Sequence, residues 1–160
     1  MLARSVKLRI AALCLSTGLG GVARASNYAL EEVPMLIPAD EAGRLRAAGI
    51  ATTFALLEKA SDLRERKALA AQVRVTARAL DGWVKLCDLM RIRGVGPDVA
   101  RLLTAAGVPT VADLQHADAA GTEVAIMKVN ALQKLSENPP AQAHLVAWIA
   151  QAKTLPVVLK

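Results

Sequence analysis

The chain has 160 residues, 54% of them hydrophobic and 21% charged, with a formal net charge of +6. That length suits one compact domain, or two small helical subdomains sharing a core. Outside the first 25 residues no apolar run approaches the ~18 residues needed to cross a bilayer, which excludes a membrane span there. Much of the apolar content is alanine and leucine, strong helix formers, so the composition leans to an all-α fold.

Arg4, Lys7 and Arg9 precede an apolar stretch from Ile10 to Leu19, then Gly18, Gly20 and Gly21, and then Ala23-Arg24-Ala25. A basic start, a short apolar segment and an A-x-A site predict a secretory signal over residues 1–25, cut before Ser26. The mature protein is then expected to be periplasmic. An uncleaved amphipathic anchor is the alternative reading of the same residues, and Leu13 before Cys14 argues against a lipoprotein. Removing four bases leaves the mature chain at +2, so overall charge is no argument for nucleic acid. Distribution says more: residues 64–101 carry a net +5, and the rest of the mature chain a net −3. Cleavage also leaves Cys87 alone, which excludes an internal disulfide and predicts a buried core thiol.

Two segments superpose at a constant offset of 58: residues 37–52 on 95–110. Asp40 matches Asp98, Leu45 matches Leu103, Ala47-Ala48-Gly49 matches Ala105-Ala106-Gly107, and Thr52 matches Thr110. The pattern predicts an internal duplication in which each copy is a turn, a helix closed by glycine, and a second helix capped by threonine. Copy one covers about residues 28–60 and copy two about 89–118. Connecting helices fill about 61–88, one capped by Ser61 and one running from Thr76 to about Arg91. In the latter, Leu80, Trp83, Val84, Cys87 and Met90 form an amphipathic stripe. Further helices are expected from Ala119 to Leu135 and, opened by Pro139-Pro140, through Leu145, Trp148 and Ile149 to about residue 153.

The segment Ile92-Arg-Gly-Val-Gly-Pro-Asp-Val-Ala100 joins two predicted helices through a G-h-G turn. Glycines there let the chain reverse tightly and expose backbone N–H groups, and Pro97 suits a first helical turn. Such a turn can hold one phosphate of a duplex backbone, which positions a protein without reading sequence. The candidate nucleic-acid contacts are Arg91, Arg93, Gly94, Val95, Gly96 and Arg101. Against this stands Asp98, an acid in the first turn that satisfies the helix dipole and repels phosphate. Copy one has Val33-Pro-Met-Leu-Ile-Pro38 instead, without the glycines, and is expected to be purely structural. His116 and His144 are isolated and lack metal-ligand spacing, no catalytic signature is present, and no cofactor or enzymatic activity is expected.

Tyr28-Ala-Leu-Glu-Glu-Val33, Leu45-Arg-Ala-Ala-Gly-Ile50, Leu89-Met-Arg-Ile-Arg-Gly-Val-Gly-Pro97, Val129-Asn130, Lys134-Leu135 and Trp148-Ile-Ala-Gln-Ala-Lys153 resemble domain-of-unknown-function family 4332. That resemblance implies a helical fold related to helix-hairpin-helix proteins and assigns no catalytic residues. The A-A-G-h-x-T arrangement is also similar to the DNA-binding C-terminal domain of the bacterial RNA polymerase α subunit. The hairpin alone is similar to that of periplasmic competence proteins that hold incoming DNA. The expectation is therefore an all-α domain of tandem helix-hairpin-helix-like repeats, exported and non-enzymatic, that binds duplex DNA without sequence preference. The alternative is an interaction or scaffolding module that docks a protein of the cell envelope.

Overall fold

The computed structural model describes residues 27–160; the expected secretory signal, with Cys14 and the Ala25–Ser26 cleavage site, lies outside them. Eight α-helices follow a short 3-10 turn at Leu30–Glu32: α1 Ala39–Ala47, α2 Thr53–Ala60, α3 Leu63–Gln72, α4 Ala77–Leu89, α5 Pro97–Ala105, α6 Val111–Gln115, α7 Ala119–Gln133 and α8 Gln142–Ala152. The described chain is all-α, its one extended pairing being the bridge between Ala29 and Thr52. That bridge ties the N-terminal segment to the start of α2, through Leu30 N–H to Ala51 O and Thr53 N–H to Tyr28 O, both 3.0 Å. Among the described residues no helix is long and apolar enough to cross a membrane.

Side-chain caps set most helix starts. Thr52, Thr76 and Thr110 each accept from the backbone N–H three residues on, leaving fewer N–H groups without an acceptor in the first turn. Asp62 rather than Ser61 caps α3, its Oδ1 accepting from Arg64 N–H at 2.8 Å and Glu65 N–H at 3.2 Å. Those bonds, which favour the ionised carboxylate, hold Asp62 below its ordinary value. α4 stops at Leu89, short of the expected Arg91, because Arg91 and Ile92 N–H turn back to the carbonyls of Asp88 and Leu89. α8 starts at Gln142, so Pro139-Pro140 stand just outside it rather than opening it.

The segments matched at an offset of 58 share their hydrogen bonding as well as their residues. α1 and α5 have the same length and start at equivalent positions, Ala39 and Pro97. Ile50 N–H bonds Leu45 O at 3.0 Å, and Val108 N–H bonds Leu103 O at 2.8 Å. Both bonds close the helix over a glycine of positive φ, Gly49 at 85° and Gly107 at 92°. Such a φ strains any residue with a Cβ, so glycine is the residue that ends these helices.

The likeness extends into the second half of each segment, where residue identity gives little sign of it. Asp62 caps α3 and Asp118 caps α7. Leu80, Trp83, Val84 and Cys87 are the buried stripe of α4; Leu145, Trp148, Ile149 and Ala152 are that of α8. In both halves the second helix packs on the fourth and the third on the fourth, α2 and α3 on α4, α6 and α7 on α8. The halves differ in that α5 packs on α7, whereas α1 and α3 stand apart across an open groove lined by Arg44, Ala48, Gln72 and Arg74.

One buried core runs through both halves, with Leu30, Leu45, Leu56, Leu80, Leu89, Ile92, Leu102, Leu103, Leu114 and Ile126 wholly enclosed. Within it Arg66 is buried, and each of its three guanidinium nitrogens donates a hydrogen bond. Nε donates to Ala60 O at 2.8 Å, Nη2 to Ser61 O at 2.9 Å and Nη1 to Asp81 Oδ1 at 2.5 Å. Burial raises the Asp81 carboxyl, but hydrogen bonds and charge from Lys85 and Arg66 outweigh it and hold the group below its ordinary value. A carboxyl lowered in the folded state stabilises above its unfolded value and loses that contribution as pH falls through the folded one. Asp81→Asn is therefore expected to cost about 1–2 kcal/mol at neutral pH, modest because Asp81 is half-exposed. In urea melts the gap from the parent should close below about pH 4; a gap independent of pH contradicts the assignment.

Candidate nucleic-acid interface

α4, the turn at residues 90–96 and α5 form the hairpin that the G-h-G pattern marks. Val95 is fully buried and its N–H bonds Ile92 O at 3.1 Å, so it anchors the turn and offers a ligand nothing. Gly94 is exposed, at the tip, with φ 89°. Gly96 precedes α5 as its N-cap, with Pro97 at the first helical position. The N–H groups of Gly94, Gly96, Asp98 and Val99 meet no acceptor among the described residues. Those of Gly96, Asp98 and Val99 belong to the cap and first turn of α5, where the helix dipole is positive and an oxyanion is favoured.

Arg91, Arg93 and Arg101 fall into different surroundings. Arg93 is exposed and Arg101 half-buried, and neither pairs with a carboxylate among the described residues. Arg91 is not available to a phosphate: Nη1 donates to Asp88 Oδ1 at 2.7 Å and Nη2 to Pro156 O at 2.9 Å. It is the partner of a buried acid, which sets it apart from Arg93 and Arg101. The basic middle of the sequence shrinks in the same way, since Arg66 and Lys85 pair with Asp81. Asp98 is exposed in the first turn of α5 and has no basic partner among the described residues, so its repulsion of an anion is real.

Residues from outside the hairpin complete the site. Arg93 N–H donates to Gln151 Oε1 at 2.7 Å, which fixes the turn against α8. The indole of Trp148 lies against Gly94; a Cβ there would stand 3.2 Å from Nε1. The Tyr28 hydroxyl approaches Gly96 from the N-terminal segment, 3.7 Å from where a Cβ would lie. Exposed His144 stacks on the Trp148 ring with centroids 5.9 Å apart. Tyr28 opens the stretch that carries the family resemblance, and Trp148 was legible as core, but nothing local in the sequence brings either to the hairpin.

Cys87 is buried, and burial, with the charge of Asp88 adding, pushes its thiol up to about 12. A thiol so protonated is a poor nucleophile and a poor metal ligand. Among the described residues no three His, Cys, Asp or Glu side chains gather as a metal site. His116 and His144 are both exposed.

What these elements define is an all-helical domain with a glycine hairpin braced by its C-terminal helix. The chain belongs to the family described as domain of unknown function DUF4332, whose model matches residues 36–155. No curated protein and no solved structure matches it.

Proposed function

We propose that this is an exported, non-enzymatic protein built of two helix-hairpin-helix repeats, and that its second hairpin binds the backbone of duplex DNA without sequence preference. The shared helix starts, caps and glycine closures at an offset of 58 support the repeat reading. One observation carries the DNA reading. Four backbone N–H groups, of Gly94, Gly96, Asp98 and Val99, have no acceptor among the described residues where the turn enters α5, and Arg93 and Arg101, within the same short segment, have no carboxylate partner there. Backbone donors at a helix start suit a phosphate, and two nearby guanidinium groups add charge that does not depend on base identity. The first repeat lacks the glycines, and its Arg44 and Arg46 pair with Glu41 and Glu31. It is assigned a structural role.

The test is fluorescence anisotropy with a labelled duplex at low salt. Arg93→Ala with Arg101→Ala should weaken binding at least tenfold, while Arg64→Ala, at an exposed arginine of α3, should leave it near the parent value. Equal loss from all three changes would contradict the assignment of the site.

A second reading, an envelope docking module, is favoured by α7. Ala120, Val124, Met127 and Ala131 form an exposed apolar stripe on the side away from Thr122 and Ile126, with Val124 at 55% and Met127 at 53% exposure. Val124→Asp with Met127→Asp, which leaves the hairpin untouched, separates the two readings: DNA binding should persist.

A further inference from the structure

Resting on the reading of the hairpin as a phosphate site, we infer that the site extends beyond the turn: the Trp148 indole N–H and the Tyr28 hydroxyl are phosphate-binding donors. Trp148 is 8% exposed. Its Nε1 is not among the enclosed polar atoms without a partner, so the indole N–H opens at the surface of the turn, where a ligand can reach it. No group among the described residues accepts this one, and Nε1 sits 3.2 Å from the Cβ position of Gly94, beside that residue's own unpaired N–H. Tyr28 repeats the arrangement on the other glycine. Its ring is half-buried, its hydroxyl has no partner among the described residues, and it lies 3.7 Å from the Cβ position of Gly96. Each glycine of the turn thus has an unpaired side-chain donor beside it, and α8 is held there by the bond from Arg93 N–H to Gln151.

Donors with no protein acceptor, grouped at the positive end of a nine-residue helix, suit a ligand that accepts many hydrogen bonds and carries negative charge. A phosphodiester oxygen has both properties, and a phenol and an indole N–H both donate to it. Absence of a side chain at Gly94 is what leaves room for the indole, so glycine serves there in packing as well as in the turn, whereas a Cβ at Gly96 would meet the Tyr28 hydroxyl at ordinary contact distance. The first repeat has Pro38 in place of Gly96 and no equivalent constellation.

The two tryptophans of the chain give two indole N–H resonances, with Trp83 as the internal control. On titrating 15N-labelled protein with a short duplex, and separately with inorganic phosphate, the Trp148 signal should move and the Trp83 signal should not. Tyr28→Phe and Trp148→Phe should each weaken duplex binding by about tenfold, the loss of one hydrogen bond to a charged group. Duplex binding that leaves the Trp148 resonance unmoved, with Tyr28→Phe binding like the parent, overturns this inference and spares the hairpin reading. A Trp148 shift with phosphate but no duplex binding supports the donor site and sinks the DNA reading. No response to either ligand overturns both. Because the resonance is followed in the parent protein, the test does not depend on Trp148→Phe folding.

Discussion

Asp88→Ala should lower the unfolding free energy by about 3–5 kcal/mol, the cost of stripping one partner from a buried ion pair. Asp88 is 2% exposed at the end of α4, and both its oxygens are used. Oδ1 accepts from Arg91 Nη1 at 2.7 Å, and Oδ2 accepts from Val111 N–H at 2.8 Å, at the first residue of α6. Arg91 in turn reaches Pro156, so one carboxylate joins α4, the entry to the hairpin, α6 and the tail. Removing it strands an arginine whose side chain is only 12% exposed, and a buried backbone N–H. Urea melts should show the midpoint falling with little change in slope. A loss below about 1 kcal/mol would mean that water replaces the carboxylate, and that the pair does not hold the hairpin.

Gly94→Ala should cost about 1–3 kcal/mol in backbone strain, since its φ of 89° suits glycine. A methyl group there also meets Trp148 Nε1 at 3.2 Å, closer than nearly all real Cβ contacts. Gly49→Ala and Gly107→Ala are the controls. Their φ values of 85° and 92° are nearly the same, but a Cβ at either meets nothing within 4 Å. The excess cost at Gly94 therefore reads the indole contact, and it should largely vanish in a Trp148→Phe background, as a double-mutant cycle. Equal costs at all three glycines would show that the indole yields without resistance. The same change should also weaken DNA binding, because displacing Trp148 moves the bond between Arg93 and Gln151.

The legible parts of this fold were those whose cause is local. Thr52 and Thr110 cap the N–H three residues on, and the glycine after two alanines closes the helix before it, so a short window marks both helices of each matched segment. Ser61 was mistaken for a cap because Asp62, equally able to accept, stands next to it. The likeness of α4 to α8 does not show at the offset of 58, because the linkers differ in length and the register shifts. It survives in which positions are buried, Leu80, Trp83 and Val84 against Leu145, Trp148 and Ile149. Arg91 looked like a phosphate ligand because it neighbours the glycines. Its spacing of three from Asp88 was a signal for an ion pair, but burial of that acid is a tertiary fact. Tyr28 and Trp148 reach the turn from the two ends of the described chain, a contact no local pattern contains.

Phosphate binding by Arg93 and Arg101 rests on charge, so salt tests it most directly. Affinity for a duplex of arbitrary sequence should be measured from 50 to 200 mM salt with the parent protein and with Arg93→Ala plus Arg101→Ala. Two guanidinium groups that each neutralise a phosphate give a slope of about −2 in log affinity against log salt, or roughly a tenfold loss across that range. The double variant should bind weakly and with little slope. No binding by the parent at 50 mM, or a steep slope that survives the loss of both arginines, would contradict the account.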